Sequence, residues 1–449
     1  MDIIDRLSQY IPIVKGPSHP LSFNERLKHT LIVLVLYFVL ATIPLWGIST
    51  EISERLRELA WIFGSSFGTL VTLGIGPIVM AGIFLQLLVG GEIININLQS
   101  EEGRMKFDNY QRFLTFVFIL IEALVILISG TLKPDFSLGV PPLLMYLIIF
   151  LQLVIGGIII VLLDDYALKY AITAGVNLFI LASISRALMI RLLNPFPPTE
   201  GQTPTGLFFV GIHLLLQGNL NEAIGVFLII ATTISILILA AYLQATRVEV
   251  PLLMARIGGK IMKFPIRVLY TSVIPIILLF AILIQIENIY MWITGSNQIP
   301  WILTRPNLIY NLSIYGLSYL LDLKNILHII VYFLIYIIGA PILSYLWVIS
   351  AGMDARTIAQ QLAASPMIQL SMRDPRILER ALEKYIRSIS ILSGILIGFL
   401  ASIADILGSA LAGTSLLLLV VIAYSIYEDF VRNNVAHLLP IIGKLLAKR

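Results

Sequence analysis

Long apolar runs, separated by short polar stretches, set the pattern of this chain. A helix needs about 20 largely apolar residues to cross the hydrocarbon core of a bilayer. Runs of that kind fall at about 29–48, 70–90, 112–131, 140–163, 171–192, 222–246, 264–286, 325–348, 385–404 and 408–430. Ahead of the first run, Ser22 and Glu25 make an S-x-x-E capping box, which starts that helix before the bilayer. Two apolar stretches are too short to cross. Residues 56–68, LRELAWIFGSSFG, lead straight into the second run and read as a half-inserted helix, which survives at membrane depth only against protein or an aqueous cavity. Residues at about 206–217 form the other and predict a short interfacial segment ahead of the sixth span.

Composition agrees with a chain built for lipid. Of 449 residues, 58% are hydrophobic and 12% charged, with a mean hydropathy of +0.94. Soluble domains carry about 25% charged residues, so a water-soluble globule, a disordered chain and a fibre are all excluded. The absence of cysteine excludes disulfides, thiolate zinc sites, iron–sulfur clusters and cysteine catalysis. The formal charge of +4 is too small to argue for nucleic acid by itself. Residues 1–28 show no small-residue cleavage site, so no removable signal peptide is expected.

Charge placement orients the spans. With the N-terminus inside, the inner segments 1–28, 91–112, 164–170, 247–267, 349–387 and 431–449 hold 23 of the 30 Lys and Arg residues. By the positive-inside rule both termini are cytoplasmic. Ten spans divide into two five-span halves, 29–200 and 201–430, of opposite topology, with 1–28 and 431–449 as cytoplasmic ends. Pro77 and Pro275 predict an interruption in the second helix of each half, the mark of a central pathway in inverted-repeat folds.

Catalytic chemistry is hard to place on this frame. Gly64-Ser65-Ser66-Phe67-Gly68 matches G-x-S-x-G but lies in an apolar helix-like stretch, far from the strand–turn–helix context that a nucleophile elbow needs. Asp164, Asp165 and Asp405 read as helix-end charges rather than an aspartyl protease pair. The ionisable groups inside spans are few, chiefly Glu122 and His328, so ion coupling is not signalled and the pathway reads as apolar. An apolar constriction gates by dewetting and binds nothing tightly. The segments 247–267 and 349–387 hold 11 of the 30 basic residues, and the second is long for a chain with short inner connections. A basic platform of this kind suits a large anionic partner such as ribosomal RNA.

GTLVTLGIGPIVMAGIFLQLLVG (68–90), RVEVPL (247–252) and GMDARTIAQQL (352–362) resemble the SecY/Sec translocon α-subunit family in its archaeal form. The resemblance extends over the whole chain. It implies an all-α membrane protein with ten transmembrane helices in two inverted halves around a central pore, and a half-inserted plug helix at about 56–66. The plug would comprise Leu56, Leu59, Ala60, Trp61, Ile62, Phe63, Gly64, Ser65 and Ser66. A pore ring would be formed by Ile75 and Val79, Val176 and Ile180, Ile277, and Leu418. Pairs four apart share one helix face, and Gly74 and Gly76 allow close approach beside the first pair.

A lateral gate is implied between the second and seventh spans, at Met80, Glu122 and Val273. Relatives place a Thr, a Glu and an Asn there; only the Glu remains, so the gate is expected to be sealed by apolar packing, or Glu122 to find another partner such as Thr115. Ribosome docking would fall on Arg247, Arg256, Lys260, Arg373, Arg376 and Arg380. The implied partners are a single-span SecE-type γ subunit, a small β subunit, the translating ribosome, the nascent polypeptide with its signal sequence, and lipid, with the signal recognition particle receptor as a further one. The implied location is the plasma membrane. No cofactor and no enzymatic activity are expected, and no P-loop occurs in the sequence. The rival readings are an inverted-repeat secondary transporter of a small solute and an intramembrane protease.

Overall fold

The computed structural model describes residues 12–19, 21–48, 65–91, 93–94, 96, 100–128, 132–197, 204–257, 260–271, 274–294, 300–364 and 375–432. In chain order the helices are α1 (Phe23–Leu40), α2 (Gly76–Gly90), α3 (Glu101–Ile128), α4 (Pro142–Tyr170), α5 (Gly175–Leu193), α6 (Leu207–Leu216) and α7 (Leu220–Ala245). Two strands follow, β1 (Arg247–Ile257) and β2 (Lys260–Arg267). The remaining helices are α8 (Ile274–Thr294), α9 (Leu308–Tyr315), α10 (Ser318–Leu321), α11 (Leu323–Ser350), α12 (Ala355–Ala364), α13 (Pro375–Leu407) and α14 (Gly413–Arg432). Each of the ten apolar runs thus falls on a helix: α1 to α5, α7, α8, α11, α13 and α14. Among the described residues, six stretches are long and apolar enough by themselves to cross a membrane, while α2 and the apolar part of α14 are shorter.

The ends of these helices correct the sequence reading in several places. α1 starts as expected, with Ser22 N–H donating to Glu25 Oε2 at 2.7 Å and the Glu25 N–H returning to the Ser22 hydroxyl. It stops at Leu40, however, eight residues before the apolar run does. Beyond it the backbone pairs with the stretch ahead of α2, through Leu45 N–H to Gly68 O at 2.8 Å and Leu70 N–H to Ile43 O at 3.1 Å. Backbone groups in an apolar setting must be paired, but a helix is not the only way to pair them.

α2 starts at Gly76, not at 70. Residues 66–75 are turns, closed by the Thr69 hydroxyl on Ser66 O at 2.6 Å and the Thr72 hydroxyl on Thr69 O at 2.5 Å, with Gly74 at φ +53°. Pro77 therefore interrupts no helix: it is the second residue of one. Pro275 is likewise the second residue of α8, a helix that starts ten residues later than hydropathy predicts. Proline suits the first helical turn because its missing N–H would have no partner there.

The segment 247–267 is an antiparallel ribbon rather than a loop, with Arg247 opposite Arg267 and Ile257 opposite Lys260. Gly258 and Gly259 separate the strands in sequence, a composition that tight hairpins favour. Finally, α13 begins at Pro375, ten residues ahead of the expected span. Its first turns are amphipathic: Leu378, Leu382, Ile386 and Ile389 are buried at helical spacing, and Arg376 and Arg380 are exposed. A hydropathy window averages such a face away.

The chain divides into two compact units, Met1–Arg186 with Ile422–Arg449, and Ala187–Val421. The first has a core of Leu45, Leu73, Ile119, Ala123, Leu127, Leu132, Met145, Ile149 and Leu153. Gly156 of α4 seats on this core, since a Cβ there would collide with the Leu70 carbonyl. In the second unit α11 and α13 meet through Gly394 and Gly398, a G-x-x-x-G pair; a Cβ on Gly398 would stand 2.5 Å from Tyr336 O. Small residues let helix backbones approach where lipid offers no hydrophobic drive. A buried hydroxyl chain adds to that contact: Ser344 donates to Ser390 O at 2.7 Å and meets Thr271 Oγ1 at 2.8 Å, and Thr271 meets Ser393 at 2.9 Å.

Candidate functional site

The six residues expected to form a ring occupy similar positions within their own helices. Ile75 is the N-cap residue immediately before α2, and Val79 is the fourth residue of that helix. Val176 and Ile180 are the second and sixth of α5, Ile277 the fourth of α8, and Leu418 the sixth of α14. All six thus lie at or within the first two turns of four helices. Ile75, Ile180 and Leu418 are buried; Val79, Val176 and Ile277 are half-buried. The Val79 N–H donates to Ile75 O at 3.0 Å, so the pair stands one turn apart on one face.

Two of the four helix starts are held by carboxylates. In the first unit Asp164, on α4, accepts from the Val176 N–H at 2.8 Å. In the second, Asp405, near the end of α13, accepts from the Gly413 N–H at 2.9 Å. The other oxygen of Asp405 takes the Tyr332 hydroxyl at 2.9 Å, and Arg305 stands 3.8 Å away. The sequence makes these aspartates look like simple helix-end charges. Their caps depend on residues that approach only in the fold. The adjacent Asp165 does serve as a charge, pairing with Lys169 at 2.9 Å and Arg112 at 3.8 Å.

At the gate positions, Met80 is exposed and Glu122 half-buried, while Val273 lies outside the described residues. Thr115 is not the partner of Glu122. Its hydroxyl donates to Gln111 O at 2.8 Å, in its own helix. Instead the Glu122 carboxyl stands over the start of α2, where a Cβ on Gly76 would be 2.8 Å from Oε2. A residue with no side chain at that position leaves room for the carboxyl. His328, the other ionisable group inside a span, meets Thr304 O at 2.9 Å and the Trp301 ring.

Of the plug residues, 56–64 lie outside the described residues; Ser65 is buried and Ser66 accepts from Thr69 in the turns described above. The stretch 65–68 is turn, not helix, and Gly68 has φ +81°.

Among the docking residues, Arg247 is exposed at the start of β1, while Arg256 stands opposite Ile261 and Lys260 opposite Ile257 in the ribbon, their side chains outside the described residues. Arg373 also lies outside them. Arg376 and Arg380 project from the first turns of α13, a helix where a loop was expected. The two basic segments share one small core, in which Ile266 of β2, Val348 of α11, Ala355 and Ala359 of α12, and Leu378 and Leu382 of α13 pack together. Tyr270 closes it, donating to Met353 O at 2.6 Å. Burial pushes the Tyr270 phenol up to about 12, and the Asp354 carboxylate adds to the shift.

Sequence comparison decides the family. The family model for SecY matches residues 69–427, and a model for the plug domain of Sec61p matches residues 35–68, a range that contains Leu56–Ser66. The chain belongs to the SecY family. Protein translocase subunit SecY of Archaeoglobus fulgidus is 34% identical, over 98% of this chain and 97% of the relative. The SecY subunit of Methanocaldococcus jannaschii is 35% identical, over 98% of each. Among solved structures, a protein conducting channel superposes with a TM-score of 0.72 at 30% identity, covering 97% of this chain and 98% of that one. Sec61 in the canine ribosome–channel complex from the endoplasmic reticulum gives 0.69 at 30% identity, with the same coverage. The fold is thus that of an all-α, multi-span channel, and the β1–β2 ribbon lies in the second unit.

Proposed function

We propose that this chain is the pore-forming subunit of a protein translocase. It passes secretory polypeptides across the membrane and releases transmembrane segments into lipid through a lateral gate. The observation that carries the reading is the aliphatic identity of all six ring residues at the starts of four helices. An aliphatic constriction offers water no hydrogen bonds, so it dries and blocks ions while closed. It also offers an extended chain no specific contact, which suits a substrate of varied sequence. Residues 56–66 are the plug, and Met80, Glu122 and Val273 flank the gate.

The shared core beneath the ribbon and α12–α13 supports a single docking platform for the translating ribosome, with Arg247, Arg256, Lys260, Arg373, Arg376 and Arg380 facing its RNA. A SecE-type subunit and a small β subunit complete the complex in the plasma membrane, with both termini cytoplasmic. The chain is a conduit, not a catalyst, and the partner supplies the driving energy. The test is ion conductance of vesicles holding the purified complex, with and without Ile75→Asn and Val176→Asn together. Each aliphatic side chain lost from a closed packing costs roughly 1–3 kcal/mol, enough to open a gate whose states differ by a few kcal/mol. Unchanged conductance at normal insertion removes these residues from the seal. Uptake of a small solute without translocation of a signal-bearing precursor would favour the transporter.

A further inference from the structure

We infer that Asp164 and Asp405 are positioning residues of the closed channel, each fixing the start of a helix that carries ring residues; the inference rests on the pore reading above. The two contacts follow one plan. Each aspartate comes from the helix immediately before, α4 or α13. Each accepts from the first or second N–H of the next long helix, Val176 at 2.8 Å and Gly413 at 2.9 Å. Each of those helices opens on a glycine seated against the preceding helix. A Cβ on Gly175 would lie 2.7 Å from Asp164 Cα, and one on Gly413 would collide with Ala401 O. The helices concerned are the fifth span of each half, counted along the chain. The second spans match as well, α2 and α8 both opening with proline second.

A helix start needs such a partner in this setting. Its first N–H groups have no acceptor within the helix, and within lipid or protein no water replaces it. A carboxylate serves twice, as hydrogen-bond acceptor and as a negative charge at the positive end of the helix dipole. The same carboxylate is costly to bury, so ionisable groups at membrane depth are rare unless they have work to perform. Asp405 is 1% exposed, and its charge is met by Arg305 and the Tyr332 hydroxyl. Val176 is the very residue whose N–H Asp164 holds, so fraying of that turn moves a ring side chain directly. Leu418 lies five residues beyond Gly413, one turn into the helix that Asp405 caps. The aspartates touch no substrate; they act through the helix starts.

The test compares Asp164→Ala and Asp405→Ala with Asp164→Asn and Asp405→Asn in the purified complex, reading resting ion conductance of vesicles alongside thermal melting. Alanine removes the acceptor and should raise the leak roughly 2- to 30-fold, the range set by loss of one such cap. Asparagine keeps a carbonyl oxygen for the N–H and should restore most of the seal. A merely structural role would lower melting in both series without this rescue of conductance. A wild-type leak in the alanine variants, while Ile75→Asn with Val176→Asn does leak, overturns the positioning role and leaves the ring intact. Silence in that double variant too removes the pore reading, and this inference with it. A leak equal in the Asn and Ala variants overturns capping as the cause. Should the alanine variants fail to insert, Asp164→Glu and Asp405→Glu carry the test, since one extra methylene displaces the acceptor; wild-type conductance in both overturns the inference.

Discussion

The Tyr270 hydroxyl donates to the Met353 carbonyl at 2.6 Å, joining the chain just past the β ribbon to the turn between α11 and α12. Tyr270→Phe keeps the packing and removes the bond, a loss of about 1 kcal/mol. Ordinary tyrosine titrates near pH 10, whereas this phenol is pushed up to about 12 by burial and by Asp354. The folded state thus holds the proton more tightly, and the contribution is complete below about pH 10 and fades as pH climbs toward 12. The wild-type tyrosinate absorbance, minus that of Tyr270→Phe, should show one late-titrating phenol. A difference curve centred near pH 10 would mean that the hydroxyl is solvated and the platform not closed there.

Charge reversal tests the platform itself. Arg376→Glu and Arg380→Glu, both on the exposed face of α13, should each weaken ribosome binding by roughly 1–3 kcal/mol, as for a lost charge-assisted contact. Insertion and melting should stay near wild type, because the buried stripe of that helix is the Leu378–Ile389 face. Added salt should weaken the wild-type complex more steeply than the variants, since fewer counterions are released from them. Binding indifferent to both salt and charge would exclude these arginines.

Topology can be read with thiol reagents, because the chain has no cysteine of its own. Ser350→Cys and Arg376→Cys should react only from the cytoplasmic side, and Ser296→Cys only from outside. Arg376→Cys reacting from outside would reverse the orientation that the positive-inside count implies and remove the docking face from the ribosome's side.

The Gly76–Glu122 approach predicts coupling. Gly76→Ala puts a Cβ 2.8 Å from Glu122 Oε2, so the carboxyl must swing away. With Glu122→Ala in place the same change meets no obstacle. The double-mutant cycle in thermal stability should give a coupling of about 0.5–3 kcal/mol. Additive effects would show that the carboxyl does not rest on α2.

The sequence alone determined where ten apolar helices lie, the capping box of α1, the short α6 helix, and the family through three motifs. These are local or summed properties: hydropathy totals the transfer of side chains out of water, and a cap or motif needs only its near neighbours. Tertiary structure alone decided where helices begin. Residues 70–75 are as apolar as α2, and 264–273 are apolar enough to be joined to α8 by hydropathy; the backbone there finds other partners, such as Ile43 O for Leu70 and Thr246 O for Val268. The same holds for Asp164 and Asp405, whose meaning lies in N–H groups that folding brings to them, and for Glu122, whose neighbour is a glycine 46 positions earlier. A sequence states which groups require a partner, but the partner is chosen by packing between helices, and that is set by close approach at residues such as Gly156, Gly175 and Gly413.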